Sequence, residues 1–198
     1  MPLSPRYLLA VAGILALPAL AQPDVRKATW GMSRGQVRAV ELNPPHETRA
    51  SNGDAILEYD SIKFAGLDCR LIYTFHKDKL VRAQFLLDAR HIEDGDPNRF
   101  IGDFQTVERL LKETYGDPAV DRAIWQDDQF QDEPKSYLDQ DRATATGFFQ
   151  SDRFVGLAIS LGHLRLYTQR ESARTKLLHT LSGGGSRIVH RIEFLRAD

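Results

Sequence analysis

Two histidines hold the clearest chemical potential in this chain. His179 and His190 flank the run Ser182-Gly183-Gly184-Gly185-Ser186. Imidazole is the commonest transition-metal ligand in proteins, and its unperturbed charge change falls near neutral pH. Leu177, Leu181, Ile188 and Ile192 mark the apolar face of a hairpin around those glycines. A register that aligns these four sets His179 opposite His190, because a one-residue slip scatters the apolar set over both faces. Two imidazoles at cross-strand distance make half of a zinc site. His163 is the candidate third ligand, by proximity in sequence alone. The competing reading is a hydrogen-bonded histidine pair at the edge of a core.

Other reactive groups point to less. Residues 126–141 hold Asp127, Asp128, Asp132, Glu133, Asp139 and Asp141 against Lys135 alone. Calcium loops cluster carboxylates, but Leu138 stands where an EF-hand starting at Asp127 needs its closing glutamate, so a solvated acidic loop is expected. Arg165, Arg170, Arg174, Lys176, Arg187, Arg191 and Arg196 would give the C-terminal part a basic sheet face, a candidate binding surface or simply a solvent face. Cys69 is the single cysteine, which excludes an intramolecular disulfide and suits a small buried hydrophobe. Gly31-Met32-Ser33-Arg34-Gly35 spells Gly-x-Ser-x-Gly, but its serine reads as a helix N-cap; no phosphate-loop motif is present, and Gly183-Gly184-Gly185 lies between strands and not at a helix start. No catalytic residue and no cofactor is therefore assigned.

The elements that must position these groups are legible from local signals. Ser33 is a helix N-cap, Gln36 completes a capping box, and Met32 and Val37 occupy hydrophobic-staple positions. Asn43-Pro44-Pro45 stops that helix. Residues 56–64, 69–76 and 80–88 read as three strands, with Cys69, Leu71, Tyr73 and Phe75 on one face of the second. The polar stretch 91–98 marks a boundary, and Pro97 opens a helix whose stripe is Phe100, Phe104, Val107 and Leu111. Gly116 and Pro118 end it. Strands are expected at 120–125, 164–169, 174–181 and 187–195, while 143–162 is ambiguous between strand and helix. Trp30 and Trp125 read as core residues. Helix then strands, twice, predicts an α+β fold of helix-plus-antiparallel-sheet units, with a tandem of two as one arrangement. The units would be 22–90 and 91–198, as two small domains or one continuous sheet.

The first 21 residues read as a signal peptide. Arg6 precedes an uncharged apolar run from Tyr7 to Leu20, and Ala19-Leu20-Ala21 supplies small residues before Gln22. The run is shorter than the roughly 20 residues a membrane-crossing helix needs. No cysteine follows the small residues, so no lipid anchor is expected. Cleavage after Ala21 would leave 177 residues with 25 basic and 27 acidic side chains. That balance argues against a nucleic-acid binder. A periplasmic or secreted protein without a stable membrane anchor is the expectation.

The run Gly31-Met32-Ser33-Arg34-Gly35-Gln36-Val37 resembles the opening of the SmpA/OmlA-type outer-membrane assembly lipoproteins. Leu71, Tyr73, Phe75 and Leu80 look like the strand pair that follows in those proteins. The expected architecture is similar to that of the β-lactamase inhibitor protein, where it forms a tandem repeat. The Trp-Gly-Met-Ser start and Tyr115-Gly116-Asp117-Pro118 also resemble exported bacterial proteins of unknown function. These resemblances imply a non-enzymatic binding or envelope-assembly module, with an envelope protein or component as partner. Two alternatives stay open: a metal-binding protein or metal-dependent enzyme using His179 and His190, and a small apolar-ligand carrier holding its ligand between helix 97–115 and a sheet.

Overall fold

Alternating apolar residues build most of this molecule. The computed structural model describes residues 23–88, 99–126, 152–184 and 187–197. The signal-peptide reading, the 91–98 boundary, Pro97 and the acidic residues 127–141 lie outside them. The elements are α1 (Arg34–Val40), β1 (His46–Arg49), β2 (Ala55–Phe64), β3 (Leu67–His76), β4 (Lys79–Leu87), α2 (Arg99–Tyr115), β5 (Val120–Trp125), α3 (Asp152–Leu161), β6 (Leu164–Glu171), β7 (Thr175–Gly184) and β8 (Arg187–Arg196).

The expected α+β class of helix-plus-sheet units does not form. The molecule is dominated by one eight-stranded antiparallel sheet in the order β1-β2-β3-β4-β8-β7-β6-β5. The reason is edge pairing. β4 and β8 join along a ladder from Arg82↔Leu195 to Leu87↔His190, so two meanders merge into a single sheet. Alternation reports the face of a residue and not which strand takes its free edge. The helices are minor additions of 7, 17 and 10 residues.

Local chemistry explains the elements. Ser33 accepts from the Gln36 amide and the Gln36 side chain accepts from the Ser33 amide, closing the capping box on α1. Lys77 and Asp78 both have positive φ, as do Ala65 and Gly66. Two positive-φ central residues define the type I′ turn that matches strand twist, so β2–β3 and β3–β4 are tight hairpins. Between Tyr59 and Ile62 the register shifts, and Ser61 at φ 57 returns Ile62 to the core face. β1 carried no sequence signal because all four of its residues are exposed. Short, charged edge strands of this kind discourage edge-to-edge aggregation.

The three described helices cover one face of the sheet. Val37 of α1 and Val107 and Leu111 of α2 join Leu57, Tyr73, Phe85 and Phe194 in one cluster. Phe100 and Phe104 of α2 meet Ala158 and Ile159 of α3, with Leu164, Leu181 and Ile188, in a second. The stripe on α2 therefore spans both clusters. Its four apolar side chains are all buried, filling the space between that helix and the sheet. Trp30 and Trp125 are half-buried and pack against the two clusters. Trp30 also donates its indole N–H to Thr175 Oγ1 at 2.8 Å, tying the N-terminal segment to β7.

The glycine run corrects the hairpin reading. Gly183 and Gly184 belong to β7, and Gly184 pairs with Arg187. A Cβ on Gly183 would lie 1.9 Å from the Ile159 carbonyl oxygen and 2.7 Å from that of Ser160. Only a bare backbone admits this approach of α3 to β7. Gly183→Ala is accordingly expected to cost about 1–3 kcal/mol by overpacking. Gly184→Ala, with nothing within 4 Å of its Cβ position, serves as the control. Urea unfolding of the two variants checks this, and equal midpoints would contradict the close packing.

Candidate functional site

The two histidines do meet, in a register different from the expected one. His179 stands opposite Ile192, and His190 opposite Leu181. The shift is two residues, so both imidazoles stay on the helix-covered face and touch diagonally. His179 Nε2 lies 2.7 Å from His190 Nε2. The Phe104 ring from α2 stacks on His179 at 4.0 Å and 12°. Both histidines are buried.

Glu108, four residues beyond Phe104 on α2, organises the rest. Its Oε1 accepts from His179 Nδ1 at 2.5 Å and from Thr168 Oγ1 at 2.5 Å. Arg170 donates to both carboxylate oxygens, at 2.7 and 3.3 Å. Its Nε also donates to the Gly116 carbonyl at 2.9 Å. Arg170 is 3% exposed. The middle of α2, the residue just past its end and β6 are thereby joined to β7 around one carboxylate.

The electrostatics follow from burial and pairing. Burial pushes the Glu108 carboxyl up, but hydrogen bonds from His179, Arg170 and Thr168 together outweigh it and take it down to about 2. Burial lowers His179 although Glu108 opposes the change, and burial plus the neighbouring His179 lowers His190 to about 3. An ionised carboxylate only accepts, so His179 carries its proton on Nδ1. Its Nε2 is then an acceptor, and His190 donates from Nε2. This neutral pair has defined tautomers and matches the hydrogen-bonded reading of the two histidines.

The fit to a metal can be judged from the same atoms. Two nitrogens held about 2.0–2.1 Å from a tetrahedral zinc stand roughly 3.3 Å apart, so the imidazoles would have to separate. Among the described residues no three His, Cys, Asp or Glu side chains are grouped to hold a metal ion. His163 is half-buried just beyond α3, and its backbone N–H donates to the Ala158 carbonyl at 2.9 Å. Glu108, Thr168 and Arg170 line a groove of about 480 Å³ together with Phe104, Lys112 and Asp121.

The basic residues divide between the two faces. Arg170 is the buried partner of Glu108, and Arg174 sits in the β6–β7 turn against Asp24 at 2.9 Å. Arg196 falls in register with the helix-covered side, opposite Thr175. Arg165, Lys176 and Arg191 fall on the opposite, outer side, while Arg187 pairs with Gly184 at the start of β8. A uniform basic face does not form, because alternation sends neighbours at odd spacing to opposite sides. Arg122 on β5, absent from the sequence reading, joins the outer set through its pairing with Tyr167.

Cys69 is buried and donates its S–H to the Ile62 carbonyl. Burial pushes its thiol up to about 12. Thiolate is the reactive form, so Cys69 is expected to resist iodoacetamide in native protein and to react on unfolding. Rapid native alkylation, read by intact mass, would contradict this placement.

No protein-family model matches the chain, and neither a curated protein nor a solved structure shows significant similarity to it.

Proposed function

We propose that this is an exported, periplasmic, non-enzymatic binding protein that uses the outer face of its sheet to hold an envelope protein. One observation carries the reading: the three described helices pack on the same side, and no described element covers the other. The outer face presents Ile72, Leu86, Leu178 and Leu195 among polar residues, all half-buried. A depression of about 600 Å³ on it is lined by Ile56, Glu58, Ile72, Arg82, Gln84 and Leu195. Mixed apolar and polar composition on a broad rigid surface suits protein recognition. The polar network around Glu108 serves to anchor α2 and keep that surface rigid. No helix among the described residues is long and apolar enough to cross a membrane.

Photo-crosslinking amino acids placed at Ile72 and Leu178, with Arg109 on the helix side as control, test the reading in cells. The expected result is a discrete adduct from the two sheet positions and none from Arg109. Adducts confined to Arg109 would overturn it. Export is tested by N-terminal sequencing, with Gln22 the expected first residue of the processed protein.

A further inference from the structure

We propose that the outer sheet face docks an acidic protein surface, through a row of arginines that the strand pairings align. This inference rests on the sheet-face reading above and names the chemistry of the partner. The row runs across six strands as Arg70, Leu86, Arg191, Thr180, Tyr167 and Arg122, each directly opposite the next. Side chains at directly paired positions share one face of a sheet. With strands about 4.8 Å apart, Arg191 and Arg122 are separated by roughly 14 Å at their backbones, with Tyr167 between them. Arg165, two residues before Tyr167 on β6, adds a third cation beside the row.

The charges in this region are unequally matched. Arg70 is neutralised by Glu58 at 2.7 Å. Glu193 lies 2.5 Å from Arg82 and a looser 3.8 Å from Arg191. Arg122 and Arg165 are exposed and have no carboxylate partner among the described residues. Among the described residues, the β5–β6–β8 end of the face thus holds cations in excess. Guanidinium forks pair bidentately with carboxylates. Tyrosine and arginine are also the side chains most enriched at the centres of protein interfaces.

The pattern favours a protein over a polyanion. Glu193 and Glu171 stand on the same face as the arginines, and they would repel a continuous run of phosphates. Half-buried Ile124 and exposed Val189 place apolar area on that face, where a polyanion backbone has nothing to bury. A folded acidic surface can match both signs and cover the apolar area.

The test uses Arg122→Glu/Arg165→Glu/Arg191→Glu in the full chain, checked first for an unchanged melting temperature. A random-peptide display library is panned on wild type, and phosphatidylglycerol vesicles are titrated in parallel. Expected are recovered peptides rich in Asp and Glu, with binding weakened roughly tenfold or more by the triple reversal and by added salt. Peptides without acidic bias, acidic peptides indifferent to the reversal, or no enrichment over the variant would each overturn the proposal. So would vesicle binding that depends on the three arginines while acidic peptides fail. Crosslinks from Ile72 and Leu178 that persist in the variant leave the sheet-face reading standing while the acidic partner fails. Loss of those crosslinks in wild type removes the underlying reading itself.

Discussion

Replacing Glu108 by alanine lowers the free energy of unfolding by about 3–5 kcal/mol, the usual consequence of removing one partner from a buried ion pair. Three groups lose their acceptor together: the Arg170 guanidinium, the His179 Nδ1–H and the Thr168 hydroxyl. Arg170 keeps its bonds to Gly116 and Thr168, but a cation 3% exposed has no counter-charge left. With total stability typically about 5–15 kcal/mol, this is a large fraction. The double variant Glu108→Leu/Arg170→Met removes both charges and should recover much of the loss, since apolar replacement of a buried pair is often neutral or better. Equilibrium urea unfolding of the three proteins provides the measurement. A Glu108→Ala variant within 1 kcal/mol of wild type would refute the anchoring role.

Acidification weakens the same region from a different direction. His190 titrates near 6.5 when unfolded and near 3 when folded. Above pH 6.5 both states are neutral and the group has no effect on stability. Below it the unfolded chain binds the extra proton, so stability falls with pH until the folded histidine also protonates near 3. At pH 5 this single group accounts for about 2 kcal/mol, at roughly 1.4 kcal/mol per unit. His179, lowered by its own burial, acts with the same sign. Glu108 joins later: its contribution is complete above its unfolded value near 4.5 and disappears as pH falls toward 2. The expected profile is flat from pH 7 to 8 and descends steadily below 6.5. Urea unfolding at pH 7.5 and pH 5 measures the drop, which His190→Leu should shrink. A wild-type free energy unchanged between the two pH values would contradict the neutral buried pair.

The hairpin shows what local pattern can and cannot specify. Leu177, His179, Leu181, Ile188, His190 and Ile192 all lie on the helix-covered face, as alternation indicates. A slip of two residues preserves every one of those placements, so periodicity alone cannot choose between His179↔His190 and the observed His179↔Ile192. Packing chooses. Gly183 must lie beneath the Ile159 carbonyl, where no side chain fits, and that requirement draws the glycine into β7. Glu108, Thr168 and Arg170 went unrecognised as partners of the histidines. An isolated glutamate on a helix surface carries no mark of the buried arginine that awaits it, because their pairing depends on how α2 lies across β6.

Arg122 illustrates the same division at the outer surface. Its strand was evident from composition, but its alignment with Tyr167 and Arg191 exists only once β5, β6, β7 and β8 are paired. By itself the sequence determined the helix cap at Ser33, the stripe on α2, the positions of most strands and the buried face of Cys69, Leu71, Tyr73 and Phe75. These depend on contacts within a few residues or on a two- or four-residue period. Tertiary structure alone decided that β4 would meet β8, that one sheet would replace separate units, and that His179 would bridge Glu108 and His190. Those outcomes turn on strand edges and side chains far apart in the chain, whose energies become comparable only when the whole sheet is assembled.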